Sequence, residues 1–192
     1  MDFNTLGLFR QHFYDTITKA NDSLFNCADA LLTETCAQSF IELSLSAHFE
    51  RKWPSLYEAF EDGKLDQKAL RKLFASFAPL VETTGSEPVV VAVDASNIVR
   101  PQSFTSPDRS CLYVHNLPEC DKPITYGWQF STLVLLPTRP SSWCYILDNS
   151  RIDTDHTASE VAAEQLAALA NLLVKFCLCW HLSGFYSNNC GW

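Results

Sequence analysis

The segment from Val89 to Val93 reads Val-Val-Val-Ala-Val and runs directly into Asp94. β-Branched side chains are stiff at χ1 and pack well on a pleated surface, so the run is expected to be a strand. A half-exposed strand alternates apolar with polar residues; this one does not alternate. It therefore needs cover on both faces, which predicts a central, buried strand. A strand of that kind demands neighbours and a covering layer, so the chain must build a sheet with helices against it. At 47% hydrophobic and 19% charged residues, the 192-residue chain has the composition for such a core. Its length suits one ordinary domain, or one with a small helical extension.

The residues ahead of this strand read as helical. Leu6, Phe9, Phe13 and Ile17 share one helical face, and Leu24, Phe25, Ala28, Leu31 and Leu32 repeat the pattern. Pro54 suits the first position of a short helix from Ser55 to Phe60, with Gly63 at its end. Asp66 is placed to cap a further helix whose stripe is Leu70, Leu73, Phe74 and Phe77. These stripes are expected to be core. Val81 to Glu87 reads as a linker.

After the strand, residues 97–122 contain Pro101, Pro107 and Pro118 and are expected to be irregular. Ile124, Tyr126, Trp128, Phe130, Val134 and Leu136 then alternate, the period of a half-buried strand. Trp143 to Leu147 makes a third strand, giving a meander. Thr157-Ala-Ser-Glu160 is a capping box opening a helix with Val161, Leu166, Leu169 and Leu173 inward. The order predicts an α/β (α+β) fold, with a helical region over residues 1–80, a sheet and helix over 88–176, and an irregular tail over 177–192.

The net charge of −8 argues against a free-standing duplex binder, since neutralising phosphates supplies most non-specific affinity. No apolar stretch reaches 18 residues, and the start has no basic segment leading an apolar block. No membrane partner is expected, and a cytoplasmic location is. The eight cysteines are irregularly spaced and read as free thiols. The alternative is a zinc site from Cys177, Cys179, His181 and Cys190, although Cys-x-Cys-x-His departs from the usual spacing. There is no phosphate-binding glycine loop and no nucleophile elbow.

Asp94 is the leading candidate for chemistry. It is expected at the carboxyl end of the first strand, where α/β folds place reactive groups. Two readings stand beside each other: a strand-end aspartate starting a turn through Ala95-Ser96-Asn97, or a magnesium ligand. Phosphoryl-transfer sites often hold two metals about 3.5–4 Å apart with several carboxylates, which a single aspartate cannot do. Asp148, Asp153 and Asp155 read as turn and surface charges.

Val91-Ala-Val-Asp94-Ala-Ser96, Arg100-Pro101 and Thr105-Ser-Pro-Asp-Arg109 together resemble the first-aspartate block of DDE transposases from bacterial insertion sequences. The likeness continues in Pro123-Ile-Thr-Tyr-Gly-Trp128, Ser142-Trp143, Asp148-x-x-Arg151-Ile152 and Ala162-Ala-Glu-Gln-Leu166. In the front it takes in Phe9-Arg10-Gln11, Asp29-Ala-Leu-Leu32, Ser55-Leu-Tyr57, Leu65-Asp66 and Leu70-Arg71. The resemblance implies an RNase H-like catalytic fold with Asp94 as first catalytic residue and metal ligand, Mg2+ as cofactor, and insertion-sequence ends as DNA partner. Arg100 and Arg109 then either meet the DNA backbone or pair with a carboxylate such as Asp108. The family's second aspartate belongs in a strand after the 157–176 helix, and its glutamate later still. Here no carboxylate follows Glu164. The expectation is therefore an amino-terminal, truncated transposase with a partial sheet, an irregular or out-of-frame tail, no cleavage of its own and poor solubility. Two further readings are a regulatory module that binds DNA or full-length transposase, and a decayed reading frame.

Overall fold

The computed structural model describes residues 3–78, 89–106, 108–113, 124–137 and 141–186, the part from 174 onward by backbone alone. The chain divides into two compact units, Met1–Phe77 and Ala78–Trp192. The architecture is the α/β (α+β) one expected: a helical front and an antiparallel sheet carrying a helix.

The first unit holds α1 (Phe3–Thr16), β1 (Ile17–Lys19), α2 (Asn21–Thr33), α3 (Phe40–Leu43), α4 (Trp53–Asp62), β2 (Lys64–Leu65) and α5 (Gln67–Phe77). Local chemistry sets several ends. Pro54 lies in the first turn of α4 and Gly63 closes it. Asp66 Oδ1 accepts from the backbone N–H of Lys68 and of Ala69, each at 3.0 Å, at the start of α5. Cys27, Ala30, Leu43, Phe49 and Leu56 form the core. Phe9 packs on Phe74 and Phe77, with ring centroids 5.9 and 5.4 Å away, which joins α1 to α5.

Three expectations are corrected here. The front is not wholly helical: Ile17 leaves the α1 stripe and pairs with Leu65 in a short antiparallel ladder. The inward face of α2 is Ser23, Cys27 and Ala30, while Leu31 and Leu32 are 63% and 81% exposed. Small residues face in because α2 packs against α4, where Leu56 and Ala59 are buried. Leu6 of α1 is exposed as well.

The second unit is a sheet of β3 (Val91–Val99), β4 (Ser110–Tyr113), β5 (Ile124–Leu135) and β6 (Tyr145–Ile152), covered by α6 (Ala158–Tyr186). Central here is β5. It pairs β3 from Val91↔Leu135 to Val99↔Gly127, and β6 along residues 129–135. Because those β5 residues already pair β3, β6 must lie on the other edge; β4 also lies opposite β3, pairing residues 124–127. The expected central strand thus stands at the edge of the described sheet, with Val89 and Val90 partly exposed. The expected irregular stretch contains β4, and the third strand runs on to Ile152. The expected linker at 81–87 lies outside the described residues.

Thr125, Ser131, Leu133 and Leu135 alternate along β5 and face α6, all buried. The capping box forms: Thr157 Oγ1 accepts from Glu160 N at 3.3 Å, and Glu160 Oε2 accepts from Thr157 N at 2.7 Å. Val161, Gln165 and Leu169, spaced by four, are the buried stripe of α6. Leu166, expected inward, is 39% exposed, since one residue beyond Gln165 lies about 100° around the helix. The helix continues through Cys177, Cys179 and His181 to Tyr186, where an irregular tail was expected; no proline interrupts it. The side chains of the zinc candidates lie outside the described residues. Among the described cysteines, Cys27, Cys36, Cys111 and Cys144 are free thiols, and burial pushes the Cys27 thiol up from its ordinary range.

Candidate functional site

Asp94 is not at the end of its strand. It is the fourth residue of the nine in β3 and pairs with Thr132. Ala95, Ser96 and Asn97, which carry turn chemistry by themselves, are held in the ladder by Ser131, Phe130 and Gln129. Twelve residues of β5 outweigh the local preference for a turn. Residues directly opposite in a ladder share a face, so Asp94 lies with Thr132 and, one strand further, Asn149. That row is on the face away from α6. The carboxylate is exposed, and its Oδ1 accepts from the N–H of Ala95 at 2.9 Å. The cost of a buried, unpaired charge therefore does not arise.

Asp148 pairs with Leu133, one step along β5, and so belongs to the other face. A register shift at Leu133/Val134 brings the bulge residue Leu147 and Asp148 both toward α6. There Asp148 Oδ2 accepts from Gln165 Nε2 at 2.8 Å and from Ser150 Oγ at 3.0 Å. Gln165 also joins Ser131: Ser131 Oγ donates to Gln165 Oε1 at 2.6 Å, and Gln165 Nε2 donates to the Ser131 carbonyl at 3.1 Å. Asp148, expected as a surface charge, is thus part of a polar clamp between helix and sheet. Its signal in the sequence was a glutamine at an i+4 position in an apolar stripe.

Arg100 and Arg109 close the loop that leaves β3. The backbone N–H of Arg100 extends the ladder to the Tyr126 carbonyl at 2.8 Å, and its Nη1 donates to the Val99 carbonyl at 3.0 Å. Arg109 Nη1 donates to the carbonyls of Arg100 and Pro101, at 3.1 and 3.0 Å. The Arg109 guanidinium also lies 5.7 Å from the ring centroids of both Phe104 and Tyr126. Asp108, offered as an alternative partner, instead faces Arg151, which stacks on Trp128 at 5.8 Å. The structure does not bring Asp94 and Arg100 together: six residues of strand separate them, roughly 20 Å.

Among the described residues, no three His, Cys, Asp or Glu side chains converge as a metal site. Asp94 offers one hard anionic oxygen, and its row adds only the neutral groups of Thr132 and Asn149. That donor set does not fit a two-cation centre, which needs several carboxylates. No helix among the described residues is long and apolar enough to cross a membrane.

Strand order and helix placement make this a mixed α/β domain consistent with an RNase H-like fold. A family model described as DDE superfamily endonuclease matches residues 12–180, and the chain belongs to that family. This supports a transposase-like nuclease function, for which DNA is the implied substrate and divalent metals are in general use. No curated protein and no solved structure matches the chain.

Proposed function

We propose that this chain is a portion of an insertion-sequence transposase that contributes Asp94, the first metal-binding carboxylate of a DDE centre, and does not cut DNA as these 192 residues alone. The observation that carries this reading is the position of Asp94: exposed, on the open face of β3, in a chain whose family match spans the sheet and its helix. A carboxylate there can hold a hard cation through one oxygen while the Ala95 amide orients the other. Cleavage and strand transfer need a second and third carboxylate beside it. Asp148 cannot serve, because it is on the opposite face and engaged by Gln165. Arg100 and Arg109 shape the loop next to the strand, and any DNA contact they make is through that loop.

The test is incubation of the purified chain with Mg2+ and DNA bearing transposon-type terminal repeats, beside the Asp94→Asn variant. Equal background from both is expected. Magnesium-dependent nicking by the wild type that disappears in the variant would overturn the reading of inactivity.

A second reading is a regulatory piece that pairs with full-length transposase, and the net charge of −8 favours a protein partner over duplex DNA for it. Co-sedimentation with full-length transposase in the absence of DNA is its direct measurement.

A further inference from the structure

We propose that Phe104, Tyr126 and Trp128, backed by Arg109 and Arg151, form a stacking platform for unpaired bases of a DNA strand. The inference rests on the reading of DNA as the substrate class and goes beyond it, by naming a surface and the form of DNA it takes.

Tyr126 and Trp128 are two apart on β5 and point to the face away from α6, because Thr125 and Gly127 between and before them are buried on the other side. Phe104 comes from the loop after β3 and is 81% exposed; Tyr126 is 49% exposed. Large aromatic surface left in water beside a sheet face usually marks a contact site. Here the rings are also held in place. One guanidinium, that of Arg109, lies 5.7 Å from the centroids of both Phe104 and Tyr126 while donating to two loop carbonyls. Arg151 lies 5.8 Å from the Trp128 centroid and donates through Nη2 to the Asp108 carbonyl at 2.8 Å. The two arginines fix both ends of the same loop, so the aromatic row is preorganised and loses little freedom on binding.

The chemistry selects the occupant. The exposed rings of Phe104 and Tyr126, with the Arg109 guanidinium near both and half-buried Trp128 beside them, suit a ligand that has flat π faces and negative charge, which is what a nucleotide strand offers. A duplex keeps its base faces stacked internally and presents phosphates and groove edges. A chain of net charge −8 is poorly equipped to hold it by phosphate neutralisation. Unpaired bases are different, because stacking does not depend on net charge. The platform shares its sheet face with Asp94: four residues of β5, about 13 Å, separate Trp128 from Thr132, the partner of Asp94. A strand stacked on Tyr126 and Trp128 can thus run along the face toward the aspartate.

Fluorescence anisotropy with a labelled oligothymidine and a blunt duplex of equal length tests this on the full chain. The single strand should bind more tightly than the duplex. Phe104→Ala should weaken it about 5- to 150-fold and Phe104→Trp should keep it, from the usual worth of one base-aromatic stack. Phe104 is exposed, and an unchanged circular dichroism spectrum confirms that the variant folds. Binding of both DNA forms that Phe104→Ala and Tyr126→Ala leave within twofold would overturn the platform and leave the DNA reading standing. Failure to bind either form would overturn the platform, while the nicking assay on Asp94 tests the proposed function separately. A change of oligomeric state in Phe104→Ala at unchanged DNA affinity would assign the face to contact between copies, and the platform would fall.

Discussion

Gln165 sits in α6 with 2% of its surface exposed and bonds to Ser131, itself 1% exposed, and to Asp148. Replacing it with leucine keeps the volume nearly constant, so the cavity contribution is small and the polar one can be read directly. The substitution orphans the Ser131 hydroxyl and removes one donor from Asp148 Oδ2, which keeps Ser150 at 3.0 Å. A buried group left without its partner costs about 1–3 kcal/mol, and bonds to a charged oxygen lie at the upper end. Leucine returns part of this through its apolar surface, so a net loss of about 2–4 kcal/mol is expected from Gln165→Leu. With a denaturant slope of about 1–3 kcal/mol per molar urea, the midpoint should fall by about 1–2 M at an unchanged slope. Tryptophan fluorescence follows it, since Trp128 and Trp143 both belong to the sheet unit. The double variant Gln165→Leu, Ser131→Ala removes the orphaned hydroxyl and should recover about 1–2 kcal/mol of the loss. A midpoint shift below about 0.3 M, or a double variant as unstable as the sum of the singles, would refute the clamp.

Thr157→Ala should cost about 1 kcal/mol by removing the cap at the start of α6. Faster amide exchange confined to the first turn of that helix is the measurement. His156 should titrate above its ordinary value of 6.5, because its ring bonds to Asp153 at 2.7 Å; the same bond holds the Asp153 carboxyl below the usual range. A raised folded pKa means that this contribution is complete below the ordinary value and is lost as pH rises through the folded one. An NMR titration should show the shift and its disappearance in Asp153→Asn. Gly127→Ala should destabilise the sheet by about 3 kcal/mol, since a Cβ there would lie 2.1 Å from the Ile98 carbonyl oxygen and 2.9 Å from Leu112 Cδ1. The obstacle at Ile98 is backbone, so it cannot rotate away, and a urea midpoint near that of the wild type would contradict the geometry.

What was legible in the sequence was local chemistry. Asp66 and Thr157 were identifiable as caps because a cap needs only a side-chain oxygen and nearby N–H groups. The alternation of β5 revealed a strand but pointed to the wrong face: the buried residues are Thr125, Gly127, Ser131, Leu133 and Leu135, whereas Ile124, Tyr126 and Leu136 of the apolar set are exposed, because α6 covers the other side. What escaped depended on distant partners. The inward face of α2 is set by where α4 packs, so Cys27 and Ala30 took the place expected for Leu31 and Leu32. The β1–β2 ladder is too short to show a period, and β4 sits in a proline-rich stretch with no pattern of its own. The polar residues after Asp94 read as a turn because β5, their partner, starts about 30 residues later.

The displacement of Asp94 from strand end to mid-strand changes what the residue needs. At a buried strand end the carboxylate would need a partner close by; in the row beside Thr132 it is exposed, and what the proposed centre lacks is further carboxylates. The ladder shows where one would have to come from. The bonds from Leu136 N to the Val90 carbonyl and from Arg100 N to the Tyr126 carbonyl place the even-numbered residues of β3 in bonding register with β5. The backbone groups of Val91, Val93, Ala95 and Asn97 then point to the opposite edge, which pairs no strand among the described residues. A strand added there would lie about 4.8 Å away, close enough for an acidic side chain level with Asp94 to share a cation. The same edge, left open, is a template for pairing between copies, and that is the physical basis for the expected poor solubility. One backbone feature thus underlies both expectations, and supplying a strand to that edge should relieve aggregation and complete the proposed metal-binding row together.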